Sequence, residues 1–246
     1  MRRGARRPRV RIVLAIVALL LAAGFAALGK WQLERREWKH ALVAMVEDRI
    51  HRDPVAAPGP DRWPAMTAES DAYRRVTATG RFLHDRETLV QAVTEHGGGF
   101  WVVTPLETAD FTLLVNRGFV PTDRADPATR AEGNPAGQVS VTGLLRMTEP
   151  GGGFLRDNDP AAGRWFSRDV AAIARARGLE GRVAPYFVDA GAAPNPGGWP
   201  LGGLTVVRFK DTHMVYALTW FALAAMALWA AWRVLAERRG PRDKGA

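Results

Sequence analysis

Two uncharged apolar stretches lie near the two ends of this 246-residue chain, and they constrain the fold more than any other feature. Ile12 to Leu28 holds 17 residues and Met214 to Trp232 holds 19, with no Asp, Glu, Lys or Arg in either. At about 1.5 Å per helical residue, each is long enough to cross a hydrocarbon core of about 30 Å. Arg2, Arg3, Arg6, Arg7, Arg9 and Arg11 lie outside the first stretch; Arg233, Arg238, Arg239, Arg242 and Lys244, against Glu237 and Asp243, lie outside the second. Basic residues at span ends stay on the cytoplasmic side, so both termini are expected in the cytoplasm and the middle on the opposite face.

The formal net charge of +9 would suit a nucleic-acid binder, but its location argues otherwise. Once both flanks are set aside, acids and bases between Ile12 and Trp232 are equal in number. The excess is a topology signal, with attraction to anionic membrane lipid as a secondary effect, and nucleic acid is not an expected partner. About 185 residues between the spans suffice for one ordinary core. The chain has no cysteine. That excludes disulfides, a thiolate copper relay, covalent c-type haem attachment and zinc-finger sites. A cleaved signal peptide would share the basic start, apolar centre and small residues of the first stretch. Against it, GKWQLERREWKHALVAMVEDRI follows without a proline and reads as the helix continuing out of the bilayer, with Trp31 and Trp38 placed for the membrane–water boundary.

The expected organisation is a basic cytoplasmic flank (1–11), a first transmembrane helix (12–29), an emerging helix and linker (30–64), a periplasmic β-rich domain (65–210), a second transmembrane helix with an interfacial start (211–234) and a cytoplasmic tail (235–246). The fold class is thus a membrane α+β protein, its two terminal helices flanking one mainly antiparallel β domain with at least one helix. Asp53 to Pro64, rich in Pro, Gly and Ala, reads as linker. Strands are expected at Tyr73–Phe82, Thr88–Thr94, Phe100–Leu106, Phe111–Val120, Gln138–Arg146, Val183–Val188 and Leu204–Phe209, forming a sandwich or partial barrel. A helix over Ser167–Arg177, capped by Ser167 or Asp169 and stopped by Gly178, interrupts them. This order does not alternate as a doubly wound parallel sheet requires. The runs Gly97–Gly99 and Gly151–Gly153 lack the Lys and Ser or Thr of a phosphate loop and read as turns.

Chemistry is sparse. The three serines, Ser70, Ser140 and Ser167, sit in no nucleophile elbow. There is no H-E-x-x-H, no carboxylate pair stands out, and His40, His51, His84 and His96 are scattered, with His84-Asp85 at an expected turn. No catalytic constellation emerges, and an enzyme is not the expectation. His213 differs, because it immediately precedes the second span in RFKDTHMVYALTWFALA. An ionisable group at membrane depth is uncommon and tends to be functional. On a helix starting near Asp211, His213, Tyr216 and Trp220 share one face, offering an imidazole nitrogen and flat aromatic surface. A helix-start histidine bonded to backbone, with the two aromatics as interface anchors, accounts for the same residues.

LGKWQLERREWK after the first span, GFWVVTPL and VNRGFVP in the centre, and HMVYALTWFALA at the second span occur in an order, and within a two-span organisation, that resembles the Surfeit locus protein 1 family of cytochrome c oxidase assembly factors. The resemblance covers Leu28 to Ala225. It implies a chaperone of the respiratory chain that assists maturation of subunit I, with haem A synthase as a further partner and haem a as a transient cofactor; no other cofactor is expected. The family histidine proposed as haem ligand maps onto His213, with Tyr216 and Trp220 as the packing face. Lys30, Arg35 or Lys210 could pair with propionates at the boundary. The alternative is a non-haem scaffold that docks oxidase subunits through its external domain. A membrane enzyme such as a haem-modifying oxidase would need more histidines and more spans. Two departures stand out: Lys210-Asp211-Thr212 and Met214 replace the family's Asn-rich approach and following Leu, and Phe119 stands where NRGW has Trp. Arg117 is read as a turn-stabilising or partner-facing strand-end residue. Without a long transit region before the first span, a bacterial inner membrane is expected.

Overall fold

The computed structural model describes residues 8–153, 155–205 and 213–236. In chain order its elements are α1 (Pro8–His51), β1 (Val55–Ala56), α2 (Ala68–Asp71), β2 (Arg75–Phe82), β3 (Thr88–Thr94), β4 (Gly97–Glu107), β5 (Thr112–Pro121), β6 (Gln138–Met147), β7 (Gly152–Gly153), β8 (Arg156–Asp157), α3 (Val170–Ala176), β9 (Val183–Ala190) and α4 (His213–Ala236). Lys210 lies outside the described residues, as does most of the expected Leu204–Phe209 strand; Leu204 and Thr205, which are described, are not in a strand. The chain divides into a terminal unit and a unit of Met45–Val207.

In the terminal unit, α1 and α4 are both long and apolar enough to cross a membrane. A helix satisfies every backbone N–H and C=O within itself, which hydrocarbon demands. α4 buries only Ala217, Ala224 and Ala231. α1 buries Ala15, Ala22 and Gly29 over its apolar stretch. Both sets recur every seven residues, while Leu20, Val215, Leu218 and Trp229 point outward. Small residues let helix backbones approach closely where no hydrophobic effect operates, and the outward apolar side chains meet lipid.

In the other unit, β2 pairs with β6, β6 with β9, β9 with β5 and β5 with β4. The end of β4 then returns to β2 through Arg81 opposite Glu107 and Phe82 opposite Leu106. The ladder closes on itself as a five-stranded barrel, and full closure removes the edges that an open sheet would leave. Gly80 marks the closure: a Cβ there would lie 2.3 Å from the Glu107 carbonyl oxygen. Most pairings are antiparallel, as expected, but β1–β2 and β5–β9 are parallel. The β5–β9 pair is buried on both faces, which a parallel pair flanked by a helix requires. Inside the barrel pack Val76, Ala78, Leu106, Leu113, Val115, Leu145, Tyr186 and Val188. Outside one wall, α3 covers Val90, Val103, Leu114, Trp165 and Phe187 with Val170 and Ile173.

Several local expectations need adjustment. Asp53–Pro64 is built into the domain rather than free of it: β1 pairs with β2, the Trp63 indole donates to the Pro58 carbonyl at 2.9 Å, and its ring meets Phe111 edge-on. The buried Tyr186 hydroxyl donates to the same Pro58 oxygen at 2.8 Å. Loss of water around that phenol pushes its pKa up. Asp169, not Ser167, caps α3 by accepting from the Ala172 amide, and Gly178 ends it at φ 58°. His84–Arg86 forms the turn between β2 and β3, although β3 pairs with β4. Gly97–Gly99 opens β4 after the Glu95–His96 turn instead of preceding a strand at Phe100.

The segment NRGFVP is the interior of β5, and its residues explain one another. Asn116 donates to Asp189 at 2.8 Å and accepts from the Gly118 amide at 3.2 Å. Gly118 has φ 131°, and a Cβ would lie 2.1 Å from the Leu201 carbonyl oxygen. Arg117 is neither a turn residue nor partner-facing: it is buried, 3% exposed, because alternation along β5 turns it inward after Leu113 and Val115. Asp189 also accepts from Arg146 at 2.8 Å, Arg168 at 3.0 Å and Thr205 at 3.0 Å. Arg168 in turn holds Glu149 through its Nε, at 3.0 Å, and Nη2.

Gly118→Ala places a side chain in the left-handed region and against a carbonyl, so it should cost at least about 2 kcal/mol, read as an earlier midpoint in denaturant-monitored tryptophan fluorescence. Burial would raise the Glu149 pKa, but its bonds to Arg168 outweigh this and hold it below the usual carboxylate range. Its stabilising contribution is therefore complete above the unfolded carboxylate pKa and fades as pH falls toward the lower folded value. Melting curves from pH 7 to about pH 4 should show a smaller acid-induced loss in Glu149→Gln than in wild type.

Candidate functional site

The apolar helices bring together residues from opposite ends of the chain. His213 is the first residue of α4, and its Nδ1 lies 2.8 Å from the amide oxygen of Gln32 in α1. An amide oxygen accepts, so Nδ1 is the donor in this pair, and the contact fixes the orientation of the ring. Metal-binding histidines are commonly oriented by just such an acceptor on the second ring nitrogen. Two turns along α4, Trp220 stacks on Phe25 with ring centroids 5.7 Å apart and planes 25° from parallel. At Gly29, an added Cβ would come within 2.8 Å of the Phe221 ring. These contacts and the buried alanines define one antiparallel register, with Gln32 against His213, Phe25 against Trp220, and Ala22 near Ala224.

Of the residues singled out from sequence, His213 and Trp220 both engage α1, whereas Tyr216 is 54% exposed. Trp220 gives a ring face to Phe25, so Tyr216 remains the exposed aromatic surface one turn from the imidazole. Lys30 pairs with Glu34 at 3.2 Å, and the Arg35 guanidinium lies 4.3 Å from the Trp38 ring centroid. Gln32 and Phe25 were not anticipated. Seven-residue spacing of Ala15, Ala22 and Gly29, matched by Ala217, Ala224 and Ala231, is the sequence signal that points to their side of α1. The Gln32 contact thus orients the imidazole at the start of α4, one turn from the exposed Tyr216 ring.

Among the described residues no group of three or more His, Cys, Asp or Glu is arranged to hold a metal ion. The features together define a class: a membrane protein with two apolar helices, one at each end of the chain, and a closed β-barrel domain encoded between them. A model of the SURF1 family matches residues 19–225, and the chain belongs to that family. It is 37% identical to human Surfeit locus protein 1 over 227 residues, covering 85% of this chain and 73% of the human protein. The mouse protein of the same name is 36% identical over 84% of this chain and 71% of its own length. A SURF1-like protein of Monosiga brevicollis is 37% identical over 88% and 85%.

The helix register is directly testable because the chain has no native cysteine. Ala22→Cys with Ala224→Cys should crosslink efficiently under mild oxidation and shift mobility on a non-reducing gel. Leu21→Cys with Ala224→Cys, which turns one thiol outward, should crosslink several-fold less.

Proposed function

We propose that this chain is an assembly factor for haem a-containing cytochrome c oxidase that holds haem a at the mouth of its second span and assists its passage to, or retention in, subunit I. The family supplies the prior, and the observation that carries the haem assignment is the His213 imidazole with Nδ1 fixed by Gln32. Haem a would supply an iron atom that a histidine nitrogen can ligate and a largely apolar body suited to a lipid-facing site. His213 would serve as ligand and Gln32 as the group that orients it; Tyr216 and the edge of the Phe25–Trp220 stack would provide aromatic contact. Lys210, next to the helix start in sequence, is a candidate propionate partner. A single protein ligand suits a carrier that must release its cargo. In this proposal the membrane is the bacterial inner membrane, both termini are cytoplasmic, the barrel is periplasmic, and subunit I and haem A synthase are the partners.

Docking of oxidase subunits without haem is favoured by a separate observation. Val93, in β3, is 88% exposed and Leu155, between β7 and β8, is 89% exposed. Close to them in sequence, Arg156 donates to the Gln91 side-chain oxygen at 3.0 Å. Apolar side chains this exposed fit a protein contact.

The test is coexpression with haem A synthesis enzymes, purification and Soret spectroscopy. Wild type should carry haem a, His213→Ala should lose most of it, and Gln32→Leu should retain about tenfold less under dilution. Wild-type protein that emerges without haem a, or equal haem in His213→Ala, overturns the ligand role. Crosslinking to subunit I that survives His213→Ala but is lost when Val93 and Leu155 are both replaced by Ser would support docking.

A further inference from the structure

We infer that the end of the barrel beside Arg117 is a binding site for a small organic carboxylate with an apolar body. Leu113, Val115 and Arg117 alternate inward along β5, so the guanidinium continues the row of core side chains to the barrel end, 4.9 Å from the Phe82 ring centroid. It donates through Nη1 to the Asn134 side-chain oxygen at 2.8 Å and to His84 Nδ1 at 3.4 Å, and through Nη2 to the Gly133 carbonyl. All three acceptors are neutral.

The surrounding charges leave this cation unbalanced. Glu87 is bound by both terminal nitrogens of the buried Arg130. His84 donates from Nε2 to the Pro135 carbonyl at 3.1 Å. Burial, reinforced by the charge of Arg117, lowers its pKa and keeps the ring neutral. Two buried guanidiniums thus share one carboxylate, and that carboxylate is engaged by the other. Burial pulls Arg117 down to about 10. A buried charge without an opposite charge is costly, and an anionic ligand would offset that cost.

The geometry leaves room for one. Among the described residues the Arg117 Nε has no acceptor, yet Thr104 Oγ1 is the only fully buried side-chain polar atom lacking a partner, so Nε keeps an opening. The Nε–Nη2 edge is one at which a guanidinium can receive both oxygens of a carboxylate. Beside it lies a half-open pocket of about 190 Å³, lined with Phe82, Val139, Val141 and Ala190 and, at its polar positions, Ser140, Thr142 and Asn195. An apolar cavity of about 150 Å³ accommodates benzene, so the space suits a body of that size. One cation among mainly apolar walls selects a monocarboxylate over a polyanion.

The test uses the full chain in uncharged detergent and 4-fluorobenzoate, with binding followed by fluorine NMR against micelles alone. Wild type should show saturable binding, and the neutral isostere 4-fluorobenzyl alcohol should show none. Ala193→Trp, at an exposed position on the cavity lining, should weaken 4-fluorobenzoate binding at least tenfold, and so should Arg117→Gln. If Arg117→Gln does not fold, Ala193→Trp decides. Absence of saturable 4-fluorobenzoate binding to wild type, undiminished binding to Ala193→Trp, or equal binding of the alcohol would overturn the proposal.

Discussion

A single carboxylate organises the barrel. Asp189 stands near the end of β9 and accepts from Asn116 of β5, Arg146 of β6, Arg168 ahead of α3, and Thr205 beyond the barrel. Each donor comes from a different segment, so the network specifies which strands neighbour β9 as well as holding them. Breaking a buried ion pair by removing one partner costs about 3–5 kcal/mol, far more than a surface pair contributes. The network is also balanced, with Arg146 and Arg168 against Asp189 and Glu149. That balance makes the contrast at the other buried cluster sharper, where Arg117 and Arg130 share Glu87 alone.

The terminal helices solve a different problem with different means. In hydrocarbon there is no apolar surface to hide, so Ala15, Ala22 and Gly29 meet Ala217, Ala224 and Ala231 for closeness rather than burial. A polar contact joins them where His213 meets Gln32, at the start of α4. The barrel is organised by a charged hub, the helix pair by small side chains, an aromatic stack and the His213–Gln32 hydrogen bond.

Much of the fold was legible from the sequence because its signals are local. Span length, flanking arginines and strands bounded by Gly, Pro and Asp depend on near neighbours, and Thr88–Thr94 and Gln138–Met147 emerge almost as expected. Barrel closure, the parallel β5–β9 pair and the inclusion of Val55–Ala56 in the sheet depend on contacts between distant residues, which period-two patterning does not encode. At the candidate site, His213 was conspicuous as an ionisable residue beside an apolar run. Gln32 was not, since a glutamine in an amphipathic helix looks like any solvated residue until its partner, 181 positions away, is placed beside it. Arg117 was misjudged because an arginine is usually exposed, and only the inward parity of Leu113 and Val115 shows that it is not.

The seven-residue seam gives the helix pair discrete axial positions. A slide of one helical turn, about 5.4 Å, would set bulky side chains against the opposing backbone where alanines now sit, so the pair behaves as a ratchet with one deep notch. In that notch the Gln32 oxygen lies 2.8 Å from Nδ1 of His213. The orientation of the imidazole is therefore tied to the axial position of one helix against the other. A force that pulled α4 along α1 would break that hydrogen bond and release the imidazole from its orientation without touching the ring.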